Sequence, residues 1–240
     1  MEYDNPAERL LSLLRECKAI TTDTNCKQAW RTVLATEGND ALLMSRLGKV
    51  MELPQVTVEA IQVAFPQRGN NWKHWVQQIT TAFATQNFDA NWGSFVNHID
   101  EHTLAYLQFS SDLLQSKTTT KLLDADAITD VRTQLDNLYK EVLLAEMNEE
   151  IKKFLVRYLR KVVDSLDEYR ITGVLPLLDS FEIMYGHAHV DKEYYSFMKN
   201  EDLGRRIVDS IGVMANLITV VLGLPQLTQA LPALNQIPGM

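Results

Sequence analysis

The sequence predicts an all-α protein, a multi-helix bundle of about nine to eleven helices arranged in two helical units. Apolar residues recur at spacings of three and four along nearly the whole chain. No run rich in Val, Ile and Thr alternates with period two between turn signals, so no sheet is expected. Ten glycines and seven prolines in 240 residues are too few for a loop-rich chain, and 46% apolar residues are ample for a core.

Asn5, Pro6 and Glu8 supply an N-cap, a first-turn proline and a first-turn carboxylate, so a helix starts there and turns Leu10, Leu11, Leu13, Leu14 and Cys17 inward. Asp23 or Thr24 is the expected cap of a second helix carrying Trp30, Val33 and Leu34. Asn39 caps a third with Leu42, Leu43, Leu47 and Val50, and Pro54 is expected to stop it, leaving a short separate segment over residues 56–65. Residues 67–71 read as a polar loop. Two further helices are expected over about 72–86 and about 92–115, the latter with Phe95, Ile99, Tyr106 and Leu113 on one side.

Residues 116–121 are polar and aperiodic, and they make the expected linker between a unit of residues 1–115 and a unit of residues 122–240. Beyond it, Ile128, Val131, Leu135, Leu138, Val142 and Ala145 form a seam with coiled-coil spacing. Asn148 with Glu149 and Glu150 then starts a helix over about 149–169 bearing Ile151, Leu155, Tyr158, Val162 and Tyr169. A connection this short makes residues 124–169 a long antiparallel αα-hairpin. A short helix over 177–185, a loop over 186–191 and helices over about 192–198 and 203–222 complete the chain. The hairpin's basic residues Lys152, Lys153, Arg157, Arg160 and Lys161 are expected to pair with the acidic first helix, which carries Asp124, Asp126, Asp130, Asp136 and Glu141.

A net charge of −8 argues against a molecule-wide nucleic-acid surface, because phosphate contact needs clustered Lys and Arg. Cys17 and Cys26 are the only cysteines. Two thiols in this length, behind an opening stretch with neither a basic nor an apolar leader segment, make the cytoplasm the expected location, with peripheral membrane association as the variant. No phosphate-binding glycine loop and no serine-hydrolase elbow occurs, and no cofactor is expected.

The sharpest chemical motif is His98, Glu101 and His102. It matches the H-x-x-E-H pattern, in which two histidines one helical turn apart hold zinc and the glutamate acts as general base. The simpler expectation is that these residues share a half-wet helix face with Phe95, Tyr106 and Phe109. His187 and His189 form a second pair, expected in a loop.

The last candidate is the uncharged run over residues 210–240. Within 207–223, Ile207, Ile211, Met214, Ile218 and Val221 form a broad apolar face, and Asp209, Gly212, Asn216, Thr219 and Gly223 form a stripe that would let another helix approach closely. Seventeen residues reach only about 25 Å, short of a hydrocarbon core of about 30 Å. Asp209 and Pro225 argue further against a span.

The leading expectation is therefore a protein that acts by binding rather than catalysis. It would pair with a protein partner or a second copy through Ile211, Gly212, Met214, Asn216, Ile218 and Val221. The alternatives are a membrane-acting effector that inserts residues 207–240, and a zinc hydrolase built on His98, Glu101 and His102.

Overall fold

The computed structural model describes residues 4–67, 69–70, 72–117 and 120–222, and the part of the uncharged run beyond Leu222, with Gly223 and Pro225, lies outside them. The described residues form twelve helices and no strand. They fall into two compact units on either side of residues 118–119.

In the N-terminal unit, α1 (Pro6–Ala19) is capped by Asn5, whose side chain accepts from Glu8 N at 2.9 Å. It packs against α3 (Asp40–Ala64) and α6 (Glu101–Gln115). The cap of α2 (Cys26–Val33) is Asn25, one or two residues beyond the expected position. Asn25 reaches further than a threonine would, and its amide also donates to the Phe88 carbonyl at 3.0 Å. Arg46 is buried and donates to the carbonyls of Leu34 and Ala35, which closes the tight turn between α2 and α3.

Pro54 does not end α3. The helix runs 25 residues with the proline inside it. A missing N–H and a ring crowding the Val50 carbonyl cost about 3 kcal/mol. Burial of Val50, Leu53, Pro54, Thr57, Val58 and Ile61 on one continuous face offsets that cost.

The unit's core centres on Trp30, Phe83, Trp92 and Phe95. These come from α2, α4 (Lys73–Thr85), the loop after it and the short α5 (Gly93–Val96). The helix expected over 92–115 is broken in two, because Asp100 adopts an extended conformation and caps α6 by accepting from Thr103 N at 2.6 Å. The side chain and N–H of Thr103, and then His74, hold the Asp100 carboxyl below the usual carboxylate range. A depressed pKa stabilises the fold above the unfolded value near 3.8 and is lost as pH falls through the lower folded value. Asp100→Asn keeps a capping acceptor, so it should flatten part of the acid loss below about pH 4 in far-UV circular dichroism melts.

The C-terminal unit is built on α7 (Ala125–Leu144) and α8 (Glu149–Asp167), joined by a four-residue turn. Val131, Leu135, Leu138 and Val142 of the seam are buried, as are Ile151, Leu155, Leu159 and Val162 opposite. The flanking charges do not pair as expected. The cross-hairpin pair is Arg132 of α7 with Asp167 of α8 at 2.9 Å. Lys153 meets Glu150 on its own helix, while Arg160 bonds Tyr139 across the hairpin and lies 3.7 Å from Asp164 on its own helix. Neighbours three or four residues apart on one helix are within reach whatever the tertiary register, which accounts for Lys153 with Glu150. Glu141 of α7 is held by Arg206 from the last helix at 2.7 and 2.8 Å.

After α9 (Tyr169–Thr172), α10 (Leu175–Val190) extends through the expected loop, α11 (Lys192–Asn200) follows, and α12 (Asp202–Leu222) packs on α7, α10 and α11. Gly186 did not terminate α10, because Met184 and Ala188 on either side of it are drawn into the core. Asp191 ends α10 and caps α11 by accepting from Glu193 N and Tyr194 N.

Candidate functional site

The N-terminal unit holds a cleft of about 860 Å³ lined by the end of α3, the residues before α4, the first turn of α4 and one face of α6. The α6 face supplies Tyr106, Phe109, Leu113 and Ser116, spaced 3, 4 and 3, and the same spacing extends back to exposed His102. A row of that period is the seam one helix offers another. Among the described residues no neighbour covers it fully: Phe109 is 67% exposed and Tyr106 47%. A bare phenylalanine alone is ordinary surface, but one in a helix-period row beside a cleft is a candidate contact for a partner.

The opposite wall is more polar. Trp72 caps α4 without a side-chain hydrogen bond, so the positive end of that helix is turned to the cleft wall uncapped. Lys73 is exposed at the rim, without an ion pair among the described residues. His74 stands edge-on to the Tyr106 ring with centroids 5.7 Å apart, and its Nε2 lies 3.6 Å from Asp100 Oδ1. The exposed Asp112 carboxylate accepts from Gln108 Nε2 at 2.8 Å, and the Asp112 main-chain carbonyl accepts from Ser116 N at 3.2 Å. The cleft therefore has an aromatic and aliphatic floor, with the Lys73 ammonium on the α4 side and the Asp112 carboxylate on the α6 side.

No protein-family model, curated protein or solved structure matches the chain. Its sites are therefore read from their own geometry.

The zinc motif is not assembled. Asp100 starts α6 at Glu101, which leaves His98 outside the helix that carries Glu101 and His102. The two histidines then lose the one-turn spacing that the motif requires. His98 Nε2 instead meets Thr85 Oγ1 at 2.9 Å, and Glu101 and His102 are exposed. Among the described residues no group of three His, Cys, Asp or Glu side chains is placed to hold a metal ion. His187 and His189 lie in α10, two positions apart and so on different faces. His187 stacks on Phe154 at 3.7 Å, and His189 Nδ1 meets the carbonyl of Tyr185 at 3.1 Å. Cys17 and Cys26 are buried free thiols, and burial pushes the Cys26 thiol above its ordinary value.

The C-terminal helix is placed differently from its expected role. Ile211, Met214, Ile218 and Val221 are buried in the core of their own unit, so they offer no apolar surface to a partner. Gly212 is half-buried and Asn216 exposed, and a Cβ at Gly212 would meet nothing within 4 Å. The close helix approach occurs elsewhere, at Gly204, which sequence spacing did not single out. No described helix is long and apolar enough to cross a membrane.

The cleft itself went unread in the sequence. The spacing sets Tyr106 and Leu113 on one side of the helix and Tyr106 with Phe109 on a half-wet face. That this side borders a cleft follows only from where the end of α3 and the start of α4 stand beside α6. The signal available was the row His102, Tyr106, Phe109, Leu113, Ser116, whose period matches a helix seam.

Proposed function

We propose that the protein acts by binding another protein, and that the N-terminal cleft receives an amphipathic helix. The apolar side of that helix would lie along Tyr106, Phe109 and Leu113, and a carboxylate on it would meet Lys73 and the start of α4. The observation that carries this reading is the exposed, helix-period row on α6 beside the cleft. Tyr106 to Ser116 spans about 15 Å, or nearly three helical turns, which fits anchors at i, i+3 and i+7.

The test uses the full chain and a fluorescently labelled 14-residue amphipathic peptide with a leucine seam flanked by glutamates. Phe109→Asp should weaken binding by at least about tenfold, as expected for an aromatic anchor. It should leave folding stability within about 0.5 kcal/mol, because the side chain is exposed. Lys73→Glu should weaken the same peptide and spare a lysine-flanked one. Equal affinity of the wild type and Phe109→Asp for the glutamate peptide would overturn the reading.

A further inference from the structure

We propose a second, independent interaction surface at the end of the C-terminal unit where α7 turns into α8 and α10 turns into α11, and that it binds a cationic, apolar segment of a partner protein. The two corners are held together: Asn148, which caps α8, donates through Nδ2 to Glu193 Oε2 on α11 at 3.0 Å. The turn is closed further by Lys152 Nζ on the carbonyl of Ala145 at 2.9 Å.

Aliphatic side chains stand out from this end. Leu144 at the end of α7 is 86% exposed and Val190 at the end of α10 is 81% exposed, with Leu143 of α7 at 43%. None of the three serves the core. The buried seam of α7 passes through Leu138 and Val142, and Leu143 and Leu144 fall outside it at the next two positions round the helix. Val190 is the last residue of α10, beyond buried Ala188. Polar residues at Leu144 and Val190 would cost the unit almost no packing, which leaves these two side chains free for a contact outside it.

Charge then selects the occupant. Glu146, Glu149, Glu150 and Glu193 are exposed on the same two corners, two to six positions from Leu144 or Val190 in the chain. Of the lysines there, Lys153 is paired with Glu150 at 3.0 Å and Lys152 is turned to the Ala145 carbonyl. That leaves Lys192 against Glu146, Glu149 and Glu193, none of which has an ion pair among the described residues. An apolar patch inside a carboxylate rim complements a segment with Leu, Ile or Phe between Lys or Arg. The same rim is repelled by anionic lipid headgroups, which disfavours a membrane as the occupant.

The full chain is titrated with a labelled 14-residue leucine-seam peptide flanked by lysines, and separately with vesicles of phosphatidylcholine alone or mixed with phosphatidylserine. Two variants carry the test: Leu144→Ser with Val190→Ser, and Glu146→Lys with Glu149→Lys and Glu193→Lys. Each should weaken the lysine peptide by at least about tenfold and leave the glutamate peptide's affinity for the cleft unchanged. A control triple reversal in the N-terminal unit, Asp23→Lys with Glu52→Lys and Asp89→Lys, should weaken it much less, which separates this site from the attraction of the whole acidic molecule. Raising salt from about 0.05 M to about 0.5 M should weaken binding without abolishing it, since the aliphatic contact is not screened. Three results would overturn the proposal: equal weakening by the control reversal, no effect of the serine pair, or vesicle binding lost in the serine pair and unaffected by the charge reversal. Because the two peptides report different units, this proposal can fail while the cleft reading stands, and the reverse.

Discussion

Gly204→Ala should destabilise the C-terminal unit by about 3 kcal/mol, while Gly212→Ala, eight residues along the same helix, should stabilise it by roughly 0.5–1 kcal/mol. Only Glu201 separates α11 from α12, so the two helices turn sharply and touch at Gly204. A Cβ there would stand 2.8 Å from Met198 Cα and press on the carbonyl of Phe197. Both obstacles are backbone, which cannot rotate aside as a side chain can. Relief requires α11 to lift off α12, loosening buried Tyr194 and Met198. Gly212 has open space where its Cβ would go, so alanine there only removes the extra chain entropy of glycine from a helix interior. Urea unfolding followed by far-UV circular dichroism reads both. Shifts of the same sign would contradict the packing described for α11 and α12.

Trp30→Ala should cost the N-terminal unit about 3–5 kcal/mol. Trp30 is fully buried, with Trp92 and Phe95 edge-on at 5.1 and 4.8 Å and Phe83 stacked at 6.1 Å. Its indole also donates to Gln86 Oε1 at 2.7 Å, which fixes the end of α4 against α2. Alanine leaves a cavity among three other rings and an unmet amide. Trp30→Phe should cost less, about 1–3 kcal/mol, because it restores most of the ring but not the donor. All four tryptophans lie in this unit, so fluorescence of Trp72, Trp75 and Trp92 follows its unfolding specifically. A loss under about 1 kcal/mol for the alanine variant would mean that the aromatic cluster does not organise the unit.

Most helices were legible because their causes are local. Asn5, Asn39 and Asn148 each accept from backbone N–H groups two or three residues on, so composition at a single short stretch locates the helix start. The α7 and α8 seams repeat within their own helices and need no knowledge of the partner. The readings that failed depended on distant residues. Pro54 is a helix breaker by its own chemistry, and only the shared buried face on both sides of it holds α3 together. Asp100 could equally have continued a helix, and its capping role split His98 from His102.

The sequence by itself determined the helical class, the αα-hairpin and the apolar face of the last helix, since each follows from periodicity and capping within a few turns. Tertiary structure alone decided which apolar faces are covered. It spent Ile211, Met214, Ile218 and Val221 on the core and left Phe109, Leu144 and Val190 in solvent. The physical reason is that periodicity gives the direction a side chain takes from its own helix axis. Whether another helix stands in that direction depends on crossing angles set by every other contact in the unit.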